Sequence, residues 1–234
     1  ILCLSDLTEA RHGTISSSWE RYGTWKGIES ETDYPAGATQ LEILIKGLFN
    51  KDRFLDVVQN FIVFEADGDG DAVTYTKKMA LYHQYYGVNK TIKSTINSVL
   101  GKQDRKIGVF WHTQGSGKSL SMVFYVNKTK RLPELRSPAY VFLTDREDLD
   151  DQLHKVFSRT GYATLAKRAT SIIDLKQKIK ELDGGVSRLI FSTLHKFKDY
   201  TEDLAEFSSR ENIIVLADEA HRTQYSELAG KVRR

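Results

Sequence analysis

In the second half of the chain the apolar positions gather in short runs. Ile107–Trp111, Ala139–Leu143, Leu189–Phe191 and Ile213–Ala217 are β-branched or aromatic and bounded by polar residues. Runs of this kind read as strands buried on both faces. Between them, Lys118–Leu132, Arg146–Ser158 and Ile172–Leu182 carry helical periodicity. Alternating strand and helix predicts an α/β fold, a parallel sheet with flanking helices, from about residue 77 onward.

The first third is patterned differently. Leu41, Leu44, Ile45 and Leu48 share one helical face, and Phe54, Val57, Val58 and Phe61 share another. Phe61–Phe64 and Ala72–Tyr75 flank Asp67-Gly68-Asp69-Gly70-Asp71 and predict a hairpin. The spaced aspartates are not a calcium loop: Ala72 stands where glycine is needed and Lys78 where glutamate is needed. Residues 1–33 show no clear period, and Glu29–Thr39, with Pro35 and Gly37, reads as a connection. The expected organisation is 1–33 as the tail of an upstream domain, 34–76 as linker helices and hairpin, and 77–234 as the α/β domain.

Composition narrows the chemistry. No apolar run approaches the length of a membrane span. With one cysteine, Cys3, there is no internal disulfide, and the six histidines include no i, i+4 pair, which argues against structural zinc. Charge is uneven. Residues 1–75 hold 6 Lys/Arg against 13 Asp/Glu, whereas residues 76–234 hold 28 against 18. A basic second part suits a polyanionic partner, although solvated lysine-rich helices would have the same composition. The chain lacks an initial methionine and ends on Arg233-Arg234, so it is expected to be part of a longer polypeptide.

His112-Thr113-Gln114-Gly115-Ser116-Gly117-Lys118-Ser119 lies between an expected strand and an expected helix, the context of a phosphate-binding loop. Gly115 and Gly117 can adopt backbone angles that turn N–H groups toward phosphate oxygens, and the helix start adds its positive end. Lys118 would reach the β- and γ-phosphates, and the Ser119 hydroxyl would ligate magnesium. His112 replaces the usual first glycine of this loop. One hundred residues beyond Lys118, the run Ile213–Ala217 ends in Asp218-Glu219-Ala220-His221. A strand ending in two acids delivers carboxylates to the ligand-binding edge of a parallel sheet. Asp218 would hold magnesium, and Glu219 would orient and deprotonate the attacking water.

Asp-Glu-Ala-His resembles motif II of superfamily 2 helicases. Other strings are similar to the motor (R) subunit of type I restriction–modification enzymes. They are Tyr82-His83-Gln84-Tyr85-Tyr86, Val109 through Ser119, Asp145-Arg146-Glu147-Asp148-Leu149-Asp150-Asp151-Gln152 and Asp218 through Tyr225. Glu9–Thr14 and Trp19–Lys26 resemble the close of that subunit's nuclease domain, so the likeness spans essentially the whole chain. It implies a first RecA-like motor domain using ATP and Mg²⁺ to translocate double-stranded DNA. It also implies methylation and specificity subunits as partners, and a prokaryotic cytoplasm with no membrane. Gln84 would read adenine. Asp145, Arg146 and Thr193 would touch the DNA backbone, and His221 would couple nucleotide state to DNA grip.

The family's nuclease needs an Asp/Glu-x-Lys element, which residues 1–35 lack. Asp104-x-Lys106 and Asp174-x-Lys176 fall in the motor segment and are taken as chance. Motif III and a second RecA-like domain with its arginine finger would follow residue 234, so this segment by itself is expected neither to cut DNA nor to turn over ATP usefully. Two other classes compete, a small-molecule phosphate-loop kinase and a non-hydrolysing nucleotide-binding module. The Asp-Glu-Ala-His box and the lack of an obvious lid segment argue against the kinase.

Overall fold

The computed structural model describes residues 1–6, 8–68, 72–102, 105–113, 115–182, 189–197 and 212–218. The chain divides into two units, Ile1–Leu135 and Arg136–Arg234.

The first unit opens with an antiparallel pair, β1 (Leu2–Ser5) and β2 (Ala10–Gly13), in the register Leu2↔Gly13 to Ser5↔Ala10. Two short helices follow, each started by a side-chain cap that accepts an otherwise unpaired first-turn N–H. The Thr39 hydroxyl accepts from Glu42 at the head of α1 (Gln40–Gly47), and Asn50 Oδ1 accepts from Arg53 at the head of α2 (Lys51–Asn60). The expected faces are shifted. Ile43, Leu44 and Leu48 are buried from α1, while Ile45 is exposed; Val57 and Phe61 are buried from α2, while Val58 is exposed. The hairpin is present and longer than its apolar runs: β3 (Ile62–Asp67) pairs with β4 (Thr74–Met79) from Ile62↔Met79 to Asp67↔Thr74. Asp69–Asp71 lie outside the described residues.

Two longer helices, α3 (Tyr82–Val99) and α4 (Lys118–Thr129), pack together, and the Thr95 and Tyr125 hydroxyls meet at 2.7 Å. Residues 1–33, patternless in sequence, supply the centre of an aromatic cluster. Buried Trp25 lies 5.5–5.8 Å from the rings of His12, Tyr82, Tyr85 and Tyr86. A polar network fastens α4 to its neighbours: Lys128 Nζ donates to Asp56 on α2 (2.6 Å) and to Asn89 on α3 (2.7 Å). The Tyr85 hydroxyl donates to the same Asp56 carboxylate at 3.0 Å.

One expectation is corrected. Ile107–Trp111 forms no strand. Gly108, at φ +133°, breaks the extended course, and among the described residues no strand pairs with this run. Extended backbone without a ladder partner turns to other contacts. Phe110 and His112 lie against α3, where a Cβ added to Gly87 would stand 2.6 Å from the Phe110 ring, while Val109 and Trp111 are about nine-tenths exposed.

The second unit carries the expected parallel sheet. Its strands are β5 (Ala139–Thr144), β6 (Ala166–Arg168), β7 (Leu189–Thr193) and β8 (Ile213–Ala217), in the order β6-β7-β5-β8, all pairs parallel. α5 (Glu147–Phe157) and α6 (Ile172–Glu181) cover it. Successive side chains on a strand point to opposite faces. Ala139, Val141 and Leu143 therefore join Ile190, Leu175 and Ile179 in one core. On β5 and β7, Phe142 stacks on Phe191 at 4.6 Å, and Phe142 meets Phe157 of α5 at 4.7 Å. β6 was not anticipated, because three residues with two exposed basic side chains carry no apolar pattern. It is tied to α5 by Arg168, which donates twice to buried Asp150, at 2.9 and 2.7 Å.

Candidate functional site

The loop before α4 has the backbone that its glycines imply. Gly115 and Gly117 both lie at φ +80°, and Gly117 is the residue capping α4. Having no side chain, Gly117 offers no acceptor to the first-turn N–H groups, which leaves them for a ligand. Thr113 and Gly115 are exposed, whereas Ser116, Lys118 and Ser119 are half-buried. Lys118 Nζ donates to the His112 carbonyl at 3.2 Å, which folds the ammonium over the loop. The Ser116 hydroxyl and His112 Nδ1 are buried without a hydrogen-bond partner among the described residues. Glycine conformations that turn amides outward, a cation and an unmet hydroxyl fit a phosphate group. Gln114 lies outside the described residues.

The N-terminal turn of α3 lies directly behind this loop. Gln84 is 33 residues from Gly117 in sequence, yet its Nε2 donates to the Gly117 carbonyl at 3.0 Å and reaches that of Ser116 at 3.5 Å. Its Oε1 accepts the Leu81 N–H at 2.9 Å, and the side chain is 2% exposed. Both ends of the amide are thus engaged within the protein. Reading adenine would require Gln84 to exchange these contacts for the base. Adjacent His83 places Nε2 3.2 Å from the Ser116 carbonyl and its ring 4.9 Å from that of His112. Burial, and then the nearby His83, push the His112 imidazole below the ordinary histidine range, against an upward pull from Glu31. His112 is therefore neutral at neutral pH. In the sequence, the one signal for His83 is a ring donor beside a glutamine at a helix start.

The glycines differ in what they tolerate. A Cβ on Gly117 would come within 2.7 Å of Gln84 Nε2, whereas one on Gly115 would meet nothing within 4 Å. Both positions disfavour a side chain at positive φ by about 1–2 kcal/mol. Gly117→Ala is thus expected to weaken ADP binding about tenfold more than Gly115→Ala. Parallel nucleotide titrations check this, and equal losses would refute the clash with Gln84 as the cause.

In the second unit, the carboxyl ends of the strands gather the remaining candidates. The Asp218 N–H donates to the Leu143 carbonyl at 2.8 Å, so the ladder with β5 continues into this half-buried acid. Thr144 pairs in register with Thr193, beside Asp145 and Arg146 at the head of α5. Arg146 is exposed and ion-pairs with Asp148 at 2.7 Å. Thr193 is fully buried, with its hydroxyl 3.4 Å from His195 Nε2. The exposed chemistry at that end of β7 is therefore His195, which faces Glu147 at 3.6 Å. Glu219 and His221 lie outside the described residues.

The family model for the SWI2/SNF2 ATPase matches residues 83–234, about two-thirds of the chain. The chain belongs to the SWI2/SNF2 ATPase family. The match begins at His83, on the turn of α3 behind the Gly115–Ser119 loop, and takes in all four strands of the parallel sheet. Among curated proteins, the chain is similar to a putative type I restriction enzyme MjaIXP endonuclease subunit of Methanocaldococcus jannaschii. The two are 39% identical over 255 residues, covering 100% of this chain and 23% of that protein. It is 40% identical to the type I restriction enzyme HindI endonuclease subunit of Haemophilus influenzae, over 96% of this chain and 21% of that protein. The chain spans about a fifth of the length of these curated relatives. No helix among the described residues is long and apolar enough to cross a membrane.

Proposed function

We propose that this segment is the ATP-binding part of the motor in a type I restriction endonuclease subunit, driving translocation of double-stranded DNA. DNA cleavage would belong to a nuclease site outside these residues, with residues 1–33 as the end of that nuclease domain. Residues 34–76 would be a linker, and 77–234 the first RecA-like domain. Methylation and specificity subunits would be the partners, in a prokaryotic cytoplasm. The observation that supports this most directly is the backbone of the loop. Two positive-φ glycines run straight into α4 at Lys118, inside the segment that matches an ATPase family.

The roles follow from the chemistry of the side chains. Gly115, Ser116, Gly117 and Lys118 would hold phosphate oxygens, with Thr113 and Gln114 completing the loop. Ser119 and Asp218 would hold magnesium, Glu219 would orient and deprotonate water, and Gln84 would sense the base. Bound ATP and Mg²⁺ supply the reacting phosphoryl group and the charge that screens it. Asp145 and Arg146 would lie along the DNA backbone, with buried Thr193 holding the end of β7 beneath it, and His221 would couple the two sites.

Phosphate release from Mg·ATP by the full-length protein, with and without long double-stranded DNA, tests the reading. Turnover should rise at least about tenfold with DNA, in keeping with a motor whose site is completed on its track. Turnover indifferent to DNA would reject translocation and favour a stand-alone ATPase.

A further inference from the structure

The phosphate loop is glycine-rich on both sides of Ser116, so its peptide planes can turn over at little cost. An anion site needs them turned one way, with N–H groups toward the phosphate and carbonyls away from it. The Gly117 carbonyl is already directed by α4, since it accepts the Ser121 N–H at 3.0 Å. The Ser116 carbonyl stands ahead of the helix and has no such partner in the ladder. It is met from α3, by His83 Nε2 at 3.2 Å and by Gln84 Nε2 at only 3.5 Å.

A carbonyl oxygen can only accept, so His83 Nε2 must carry the proton in this contact. The peptide is planar and trans, with its C=O and N–H pointing in opposite directions. Holding the Ser116 carbonyl back therefore turns the N–H of the same peptide, which belongs to Gly117, outward from α3. The His83 ring is itself steadied by its edge-on contact with His112, 4.9 Å between centroids at 71°. His112 in turn offers the carbonyl on which Lys118 rests. One imidazole thus touches both shoulders of the loop.

We propose that His83 is a positioning residue of the phosphate loop, presetting the Gly117 N–H for a phosphate oxygen by anchoring the Ser116 carbonyl. This rests on the phosphate-loop reading given above. It assigns to His83 a part distinct from base recognition by Gln84, because the group acted on is a backbone peptide. The effect is one of preorganisation. Without the anchor, binding must also select the right peptide orientation, so affinity falls by the fraction of time that orientation is absent.

The test uses the full-length protein with His83→Phe, His83→Gln and Lys118→Ala, titrated with a fluorescent ADP in magnesium. Phe keeps the ring and loses the donor; Gln restores an N–H donor at comparable reach. His83→Phe should raise the ADP Kd about tenfold, the effect of one hydrogen bond on a preorganised group. His83→Gln should stay within about threefold of wild type, and the melting temperature without ADP should be unchanged in both. Where His83→Phe fails to fold, His83→Asn, too short to reach the carbonyl, replaces it with the same expectation. Wild-type affinity in the donor-less variant overturns the proposal, as does equal weakening in the Phe and Gln variants. A lowered melting temperature with the ADP-induced rise intact also overturns it, reducing His83 to packing. Lys118→Ala separates the two levels. If it too binds ADP like wild type, the phosphate-loop reading fails; if it binds poorly while His83→Phe binds well, only the present proposal fails.

Discussion

Lys118→Ala in the full-length protein is expected to lower ATP turnover by about 10²–10³-fold, the cost of deleting one aimed donor at a reacting group. Lys118 is the first residue of α4, after a cap with no side chain to accept a hydrogen bond from the first turn, so its ammonium and the N-terminal end of the helix reinforce one another. Its present contact is the neutral His112 carbonyl at 3.2 Å. A charge-assisted contact to phosphate is about twice as strong as one to a neutral acceptor, so the lysine can leave this carbonyl for a nucleotide at little cost. Lys118→Arg should not restore activity, because a planar fork does not replace a compact ammonium in a tight loop. Steady-state phosphate release at saturating Mg·ATP reads the outcome. Turnover within about threefold of wild type in Lys118→Ala would remove this loop from the chemistry altogether.

Acid should destabilise the first unit through His12 by about 3 kcal/mol between pH 7 and pH 4. His12 is 0% exposed, packed edge-on against Trp25 at 5.6 Å. Burial pushes its pKa down to about 4 from 6.5, against the weaker upward pull of the Ala80 and Gly23 backbone. Above pH 6.5 the ring is neutral whether the chain is folded or not, and no stability is lost. Between 6.5 and 4 the unfolded chain takes up a proton that the folded chain refuses, so stability falls as pH falls. Below about 4 both forms are protonated and the loss levels off. A difference of roughly 2.5 units at 1.36 kcal/mol each bounds the effect at about 3 kcal/mol. His12→Phe keeps the aromatic contact and removes the titration. Urea unfolding followed by tryptophan fluorescence at pH 7 and pH 4 should show the smaller acid loss in the variant. Identical losses would mean that His12 takes up its proton while folded.

The sheet was legible because its central strands, β5 and β7, are buried at every position. Ala139–Thr144 is buried at every position, and two-sided burial is what turns a strand into an unbroken apolar run. The hairpin and the helices of the first unit were legible for a related reason, since caps, turn residues and apolar spacing are local properties. β1, β2 and β6 were not. Their three or four residues carry no periodicity, and their existence depends on the partner across the ladder.

The candidate phosphate loop is legible in the sequence because the residues proposed to form it are contiguous. In the proposed roles, Gly115, Gly117, Lys118 and Ser119 would each act through a local property of backbone or side chain. The same holds for Asp218, placed at the end of an apolar strand. What surrounds the loop depended on tertiary packing. Gln84 and His83 reach Ser116 and Gly117 only because α3 lies against α4, and nothing in their spacing fixes which atoms meet. The same packing decided against a strand at Ile107–Trp111. A strand is completed by hydrogen bonds to a neighbour that the run itself does not encode, and here Phe110 and His112 rest on α3 instead. Trp25, in a stretch without any pattern, became the hub of the aromatic core for that reason too. Local sequence specifies conformation and chemistry, whereas contact between distant segments is settled by which surfaces bury each other best.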